Sequence, residues 1–128
     1  EEFLNGARVA YEMILTAYSK RDRETLKMLL SDALFQNFDQ TLKQEADARK
    51  HTDTTLVAIQ SVRVSDAKLV GSQATLTVDF ISEQIHLMRD ENGAILEGDP
   101  SVQNTVEDRW VLARDLRSAT PNWVILDT

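Results

Sequence analysis

The sequence predicts an α+β domain in which N-terminal helices pack on one face of a strongly curved, roughly four-stranded antiparallel sheet. Three observations carry this. Apolar residues recur at spacings of three and four up to Leu42, β-branched residues alternate from Thr54 onward, and the apolar phase slips once inside the β region. Helices should therefore fill about 3–48 and the sheet about 54–128, as one domain over all 128 residues. That length allows a single core burying about two thirds of the unfolded chain's surface.

Phe3, Leu4, Ala7, Ala10, Tyr11, Ile14, Leu15 and Tyr18 form one stripe of an amphipathic first helix. Lys20, Arg21 and Arg23 follow where positive charge suits the helix dipole, and Asp22 is placed to cap a short second helix carrying Leu26, Leu29 and Leu30. Ser31 caps a third with Leu34, Phe35, Phe38 and Leu42 on one face; the polar run from Gln44 to Asp53 reads as its tail. A long strand follows, with Leu56, Ala58, Val62 and Val64 in one phase and Val57 and Ile59 in the other. Gly71 and Ser72 make a turn, and Ala74, Leu76, Val78 and Phe80 alternate with Thr75, Thr77 and Asp79 on the second strand. Beyond Phe80 the phase moves to Ile81, Ile85 and Leu87, which requires a bulge, a bend or a change in which face is covered. Residues from Asp90 to Pro100 read as a surface loop with two turns. Val106, Trp110, Leu112 and Leu116 then mark a third strand, and after a turn at Pro121 and Asn122 a short one runs from Trp123 to Asp127.

Composition excludes several function classes. Fourteen Lys plus Arg against twenty-one Asp plus Glu give a net charge of −7, which opposes the phosphate neutralisation that nucleic-acid binding needs. Without cysteine there is no disulfide, thiol nucleophile or thiolate metal site, and His51 and His86 lack metal-ligand spacing. No apolar run reaches the roughly eighteen residues that span a bilayer. Opening on Glu1 rather than methionine, the chain reads as a trimmed fragment. Phosphate loops, GxSxG and HExxH are absent from the sequence. What remains for acid–base chemistry is Asp79, His86 and Asp108, two of which must face one cavity within reach of a common substrate atom. Asp108 and Arg114 share the phase of Trp110 and Leu112, so each needs a partner from a neighbouring element; Arg114 at a crevice mouth would anchor a carboxylate or phosphate.

Three stretches, FLNGARVAYEMILTAYSKRD from Phe3 to Asp22, EGDP from Glu97 to Pro100 and DRWVLARDLRSATPNW from Asp108 to Trp123, together resemble the Tim-forty-four-like domain family. The most specific element is Trp110, then Arg114 and Asp115, then Pro121, Asn122 and Trp123. The family includes the C-terminal domain of the mitochondrial inner-membrane import-motor scaffold, a mitochondrial ribosomal protein and bacterial homologues, often with an N-terminal membrane anchor; a short bacterial form is most similar. Arg21 stands where a glycine is expected before Asp22, and Leu112 where an aromatic is expected.

The resemblance implies a cone-shaped domain related to the cystatin-like and nuclear-transport-factor-like folds, with a large apolar crevice and neither enzymatic activity nor cofactor. On this reading the chain is a membrane-associated scaffold or adaptor, peripheral or anchored at a bacterial inner membrane, and Tyr11, Phe80, Trp110, Leu112 and Arg114 face the crevice. It offers them to a protein partner of a translocation or assembly machine, or to a lipid, with contact to anionic lipid such as cardiolipin made mainly by segments upstream of Glu1. The competing readings are a small-molecule enzyme using Asp79, His86 and Asp108, and a structural module that self-associates through its exposed sheet face.

Overall fold

The computed structural model describes residues 2–119 and 123–128. Its elements are α1 (Glu2–Lys20), α2 (Arg23–Leu29), α3 (Asp32–Asp47), β1 (Lys50–Val70), β2 (Gln73–Asp90), β3 (Ile95–Glu97), β4 (Asn104–Asp115) and β5 (Val124–Asp127).

The first helix buries Ala7, Tyr11, Ile14 and Ala17 along its apolar stripe. Arg21 ends it in the left-handed region at φ 55°. There its N–H donates to the Tyr18 carbonyl (3.1 Å), and the Asp22 N–H donates to that of Ala17 (2.8 Å). These are the two bonds of a Schellman stop, a position that favours glycine. Asp22 caps α2 by accepting the Thr25 N–H at 3.2 Å, and Ser31 caps α3 by accepting that of Leu34 at 3.2 Å, both as the sequence predicts. The Ser31 N–H also donates to the Ile125 carbonyl at 2.8 Å, which fixes the α2–α3 corner against β5.

The sheet begins earlier than the sequence predicts. Arg49, at φ 58°, turns the chain out of α3, and Lys50–Asp53 are already strand. The Glu45 carboxylate takes the Thr52 N–H (3.1 Å) and the Thr52 hydroxyl (2.9 Å), so polar residues that resemble a helix tail anchor the start of the strand instead.

All neighbouring strands are antiparallel, in the order β1-β2-β4-β5, with β3 pairing the end of β2 that β4 does not reach. The expected irregularity is present but lies elsewhere: register shifts fall on β1 at Leu56/Ala58, Ile59/Ser61 and Val64/Asp66, where extra residues bend the sheet. On β2 the inward phase does not slip at Phe80. It runs on through Val78, Phe80, Ser82 and Gln84, the last two polar and buried. Only at Leu87 does burial cross to the other face, because the β3 loop covers it there: a Cβ built on Gly98 would lie 2.4 Å from the His86 carbonyl oxygen and 3.1 Å from a Leu87 methyl. Thus the segment read as a bare surface loop contains a strand. Leu116, read as part of the third strand, follows the end of β4 and is exposed. The Pro121–Asn122 turn lies outside the described residues.

Candidate functional site

Tyr11, Phe80 and Trp110 meet between α1 and the sheet. Tyr11 stacks on Phe80 with centroids 4.3 Å apart and tilts against Trp110 at 4.8 Å, while Phe80 and Trp110 meet edge-on at 5.2 Å. Tyr11 and Phe80 are 0% and 1% exposed, so these two residues, expected to face a crevice, belong to the core. Open space lies on either side of this aromatic cluster, in two grooves of about 650 Å³ each.

The second groove lies between α1, α3 and the inner face of β2 and β4, and Trp110, His86 and Asp108 line it. Behind it runs a chain of hydrogen bonds. The Gln84 amide N–H₂ donates to the Tyr11 hydroxyl and to Ser82 Oγ, both at 2.9 Å, leaving Gln84 Oε1 to accept from His86 Nε2 at 2.5 Å. The Tyr11 hydroxyl donates to Asp108 Oδ2 at 2.5 Å, so Ser82 must donate to Tyr11 across their 2.9 Å contact. Every donor in the chain is spent on the next member and the sequence of donors ends on Asp108. Burial, and after it the Asp108 carboxylate, pushes the Tyr11 hydroxyl far above the usual phenol range. Such a network holds α1 on the sheet. Asp79 is not part of it. It points to the opposite face, where Arg109 Nε lies 2.8 Å away and Arg63 3.7 Å away, and the Arg109 hydrogen bond holds its carboxyl below the usual range. Of the three candidate acid–base residues, His86 and Asp108 thus line one groove, and Asp79 is an outer-face ion pair.

The first groove lies between α1, α2 and the β4–β5 end of the sheet, and its lining is almost wholly apolar. Val9, Met13 and Met28 contribute to it while remaining exposed. Leu112 and Trp123 form part of its floor, with Phe3 edge-on to Trp123 at 5.2 Å. Among the described residues lining it Arg114 alone is charged, and its Nε is buried with no hydrogen-bond partner among them. Of the five residues expected at a crevice, Leu112 and Arg114 thus line the first groove, Trp110 the second, and Tyr11 and Phe80 neither. Val9, Met13 and Met28 escaped sequence reasoning because they fall outside the core-facing stripes. Their signal was three large apolar residues on helix faces that the stripes leave to solvent.

An α+β domain of helices on a curved antiparallel sheet, with an apolar groove beside its core, is the class these features define. A family model described as the Tim44-like domain matches residues 1–128, and the chain belongs to that family. It is 31% identical over 99 residues to the mitochondrial import inner membrane translocase subunit TIM44-1 of Arabidopsis thaliana, covering 77% of this chain and 21% of the relative. It is 24% identical over 117 residues to the probable mitochondrial import inner membrane translocase subunit tin-44 of Caenorhabditis elegans, covering 89% and 28%. The chain thus spans roughly a quarter of the length of these relatives. The solved intermembrane-space region of chloroplast protein ARC6 superposes with a TM-score of 0.49 at 14% identity, over 94% of this chain and 92% of that one.

Proposed function

We propose that this Tim44-like domain is a noncatalytic adaptor of a protein-translocation or membrane-protein assembly machine, and that a protein segment docks in the groove between α1, α2 and the β4–β5 end of the sheet. The carrying observation is that Val9, Met13 and Met28, exposed by 55%, 38% and 71%, all line that one groove. Three large apolar side chains kept in water around one concavity are what a docking surface needs and a core does not. The relatives' names supply the kind of machine, and no helix among the described residues is long and apolar enough to cross a membrane, which suits a peripheral or separately anchored domain.

The decisive experiment is photo-crosslinking in cells from position 9 or 28, compared with position 63 on the outer face. Adducts from the groove positions, lost in Met13→Asp, are the expected result; equal adducts from position 63 sink this reading. We also propose, from the resemblance, a location at a bacterial inner membrane, with anionic lipid such as cardiolipin met mainly by segments preceding this core. Flotation on vesicles with and without cardiolipin tests that: a form extended at its N-terminus floats and the 128-residue chain, at −7, does not.

A further inference from the structure

Arg114 differs from the other arginines in being half-buried without an ion pair, whereas Arg8, Arg21 and Arg49, which also make none among the described residues, are exposed. Arg23, Arg63, Arg89, Arg109 and Arg117 each pair with an aspartate of their own chain. Arg114 pairs with none among the described residues, its Nε is shielded from water, and no Asp or Glu is among the described residues that line its groove. A guanidinium half-removed from water without a counter-charge forfeits hydration and gains nothing in return. Space for a partner lies beside it: Ala74 is its register neighbour on β2, and α1 presents Gly6, Ala7 and Ala10 across the groove, with nothing within 4 Å of where a Gly6 Cβ would stand.

We infer that the segment received by this groove is an amphipathic helix of a partner protein with one Asp or Glu set among its apolar anchors, and that Arg114 takes that carboxylate. The inference rests on the docking reading above and names the chemistry of its occupant. A planar fork surrounded by apolar side chains fits a single carboxylate flanked by hydrocarbon, since a free phosphate would leave most of its oxygens without donors. The groove's exposed rim decides between a helix and an acyl chain. Val9 and Met28 stay more than half in water, so an acyl chain lying there would keep one side wet, whereas an amphipathic helix covers them and turns its own polar face outward. Two methionines on the rim allow the fit to adapt to several such helices.

The test is selection of a phage-displayed library of random 16-residue peptides on the full chain, with affinities of the recovered peptides read from the fluorescence of Trp123 in the groove. The expected peptides carry apolar residues three and four apart around one Asp or Glu. Arg114→Gln weakens them about thirtyfold. Changing the peptide's acid to its amide costs as much on the parent chain and adds little on Arg114→Gln. Thermal unfolding by circular dichroism establishes that the variant folds; should it not, Arg114→Lys, which keeps charge but loses the fork, must give an intermediate affinity. Peptides that are blocked by Met28→Asp yet lack an acid, or that bind Arg114→Gln unchanged, overturn the carboxylate assignment and leave the groove reading standing. Peptides indifferent to Met28→Asp, or no enrichment at all, overturn both. Dodecanoate binding that depends on Arg114 and that no peptide displaces overturns the helix in favour of an acyl chain, and a dimer in sedimentation that dissociates in Met28→Asp overturns it in favour of a second copy.

Discussion

Arg21 shows how a single backbone angle can be read from residue chemistry. At φ 55° its Cβ crowds the following carbonyl, a strain that glycine lacks, and this is the position where the family resemblance leads one to expect glycine. Arg21 makes no ion pair among the described residues that would offset the strain. Arg21→Gly is therefore expected to stabilise the fold by about 0.5–1 kcal/mol in urea unfolding, with an unchanged slope; the sign reverses only if the unfolded chain's gain in freedom outweighs the relief. Gly98 is the opposite case. A Cβ there would meet the His86 carbonyl oxygen at 2.4 Å on a backbone at φ 93°, so Gly98→Ala must push β3 off β2 and uncover Leu87. A loss of about 1–3 kcal/mol is expected, with faster amide exchange at Ile95 and Glu97 while exchange at the β2–β4 pairs stays slow.

At the level of elements, α1 is attached to the sheet by one hydroxyl as well as by area. Tyr11 reaches β2 through Ser82 and Gln84 and β4 through Asp108. Tyr11→Phe keeps the ring stack on Phe80 and removes only the hub. It strands buried Ser82 and Gln84 together with the Asp108 carboxylate, and about 1–3 kcal/mol of stability should go, with the near-ultraviolet signal of Trp110 retained. A loss under about 0.5 kcal/mol would mean that water replaces the hydroxyl and that the network is not what holds the helix. The sequence made much of this architecture legible, because caps and phases are local properties: Asp22 and Ser31 act where their side chains predict, and Val78 and Phe80 point where alternation predicts. It hid the network because Ser82 and Gln84 are polar residues holding inward positions, and a hydrophobicity pattern registers that as a slip toward Ile81 and Ile85. The bulges were displaced to β1 for a related reason. Extra residues on an edge strand leave no apolar signature when both of its faces carry valines. The grooves were less legible still, since exposure of Val9, Met13 and Met28 depends on how α1 and α2 sit beside β4 and β5, and no local pattern encodes that.

The two ends of the pH scale test different parts of the molecule. Burial comes first among the causes that raise Tyr11 far above the usual phenol range, and burial with the neighbouring Glu45 carboxylate pushes Tyr18 up to about 12. A tyrosine held protonated in the fold binds more protons there than in the unfolded chain once the pH exceeds about 10, so stability is full below that point and falls as pH rises through the folded values. For fully buried Tyr11 the slope approaches about 1.4 kcal/mol per pH unit, and Tyr11→Phe should flatten the alkaline limb by that amount. The acid limb has the opposite sign. Hydrogen bonds from Arg23 and Arg109 hold Asp39 and Asp79 below the usual carboxylate range, so their contribution is present above that range and disappears as pH falls through the depressed values. Because Arg23 and Arg109 are 55% and 69% exposed, solvent and salt screen those pairs, whereas desolvation of a buried phenol is not screened. Raising salt to about 1 M should therefore flatten the acid limb of urea-unfolding stability against pH and leave the limb between pH 10 and 12 nearly unchanged. If salt flattens the alkaline limb equally, charge repulsion across the −7 surface governs it, and the buried hydroxyl network is not what sets the upper pH limit of the fold.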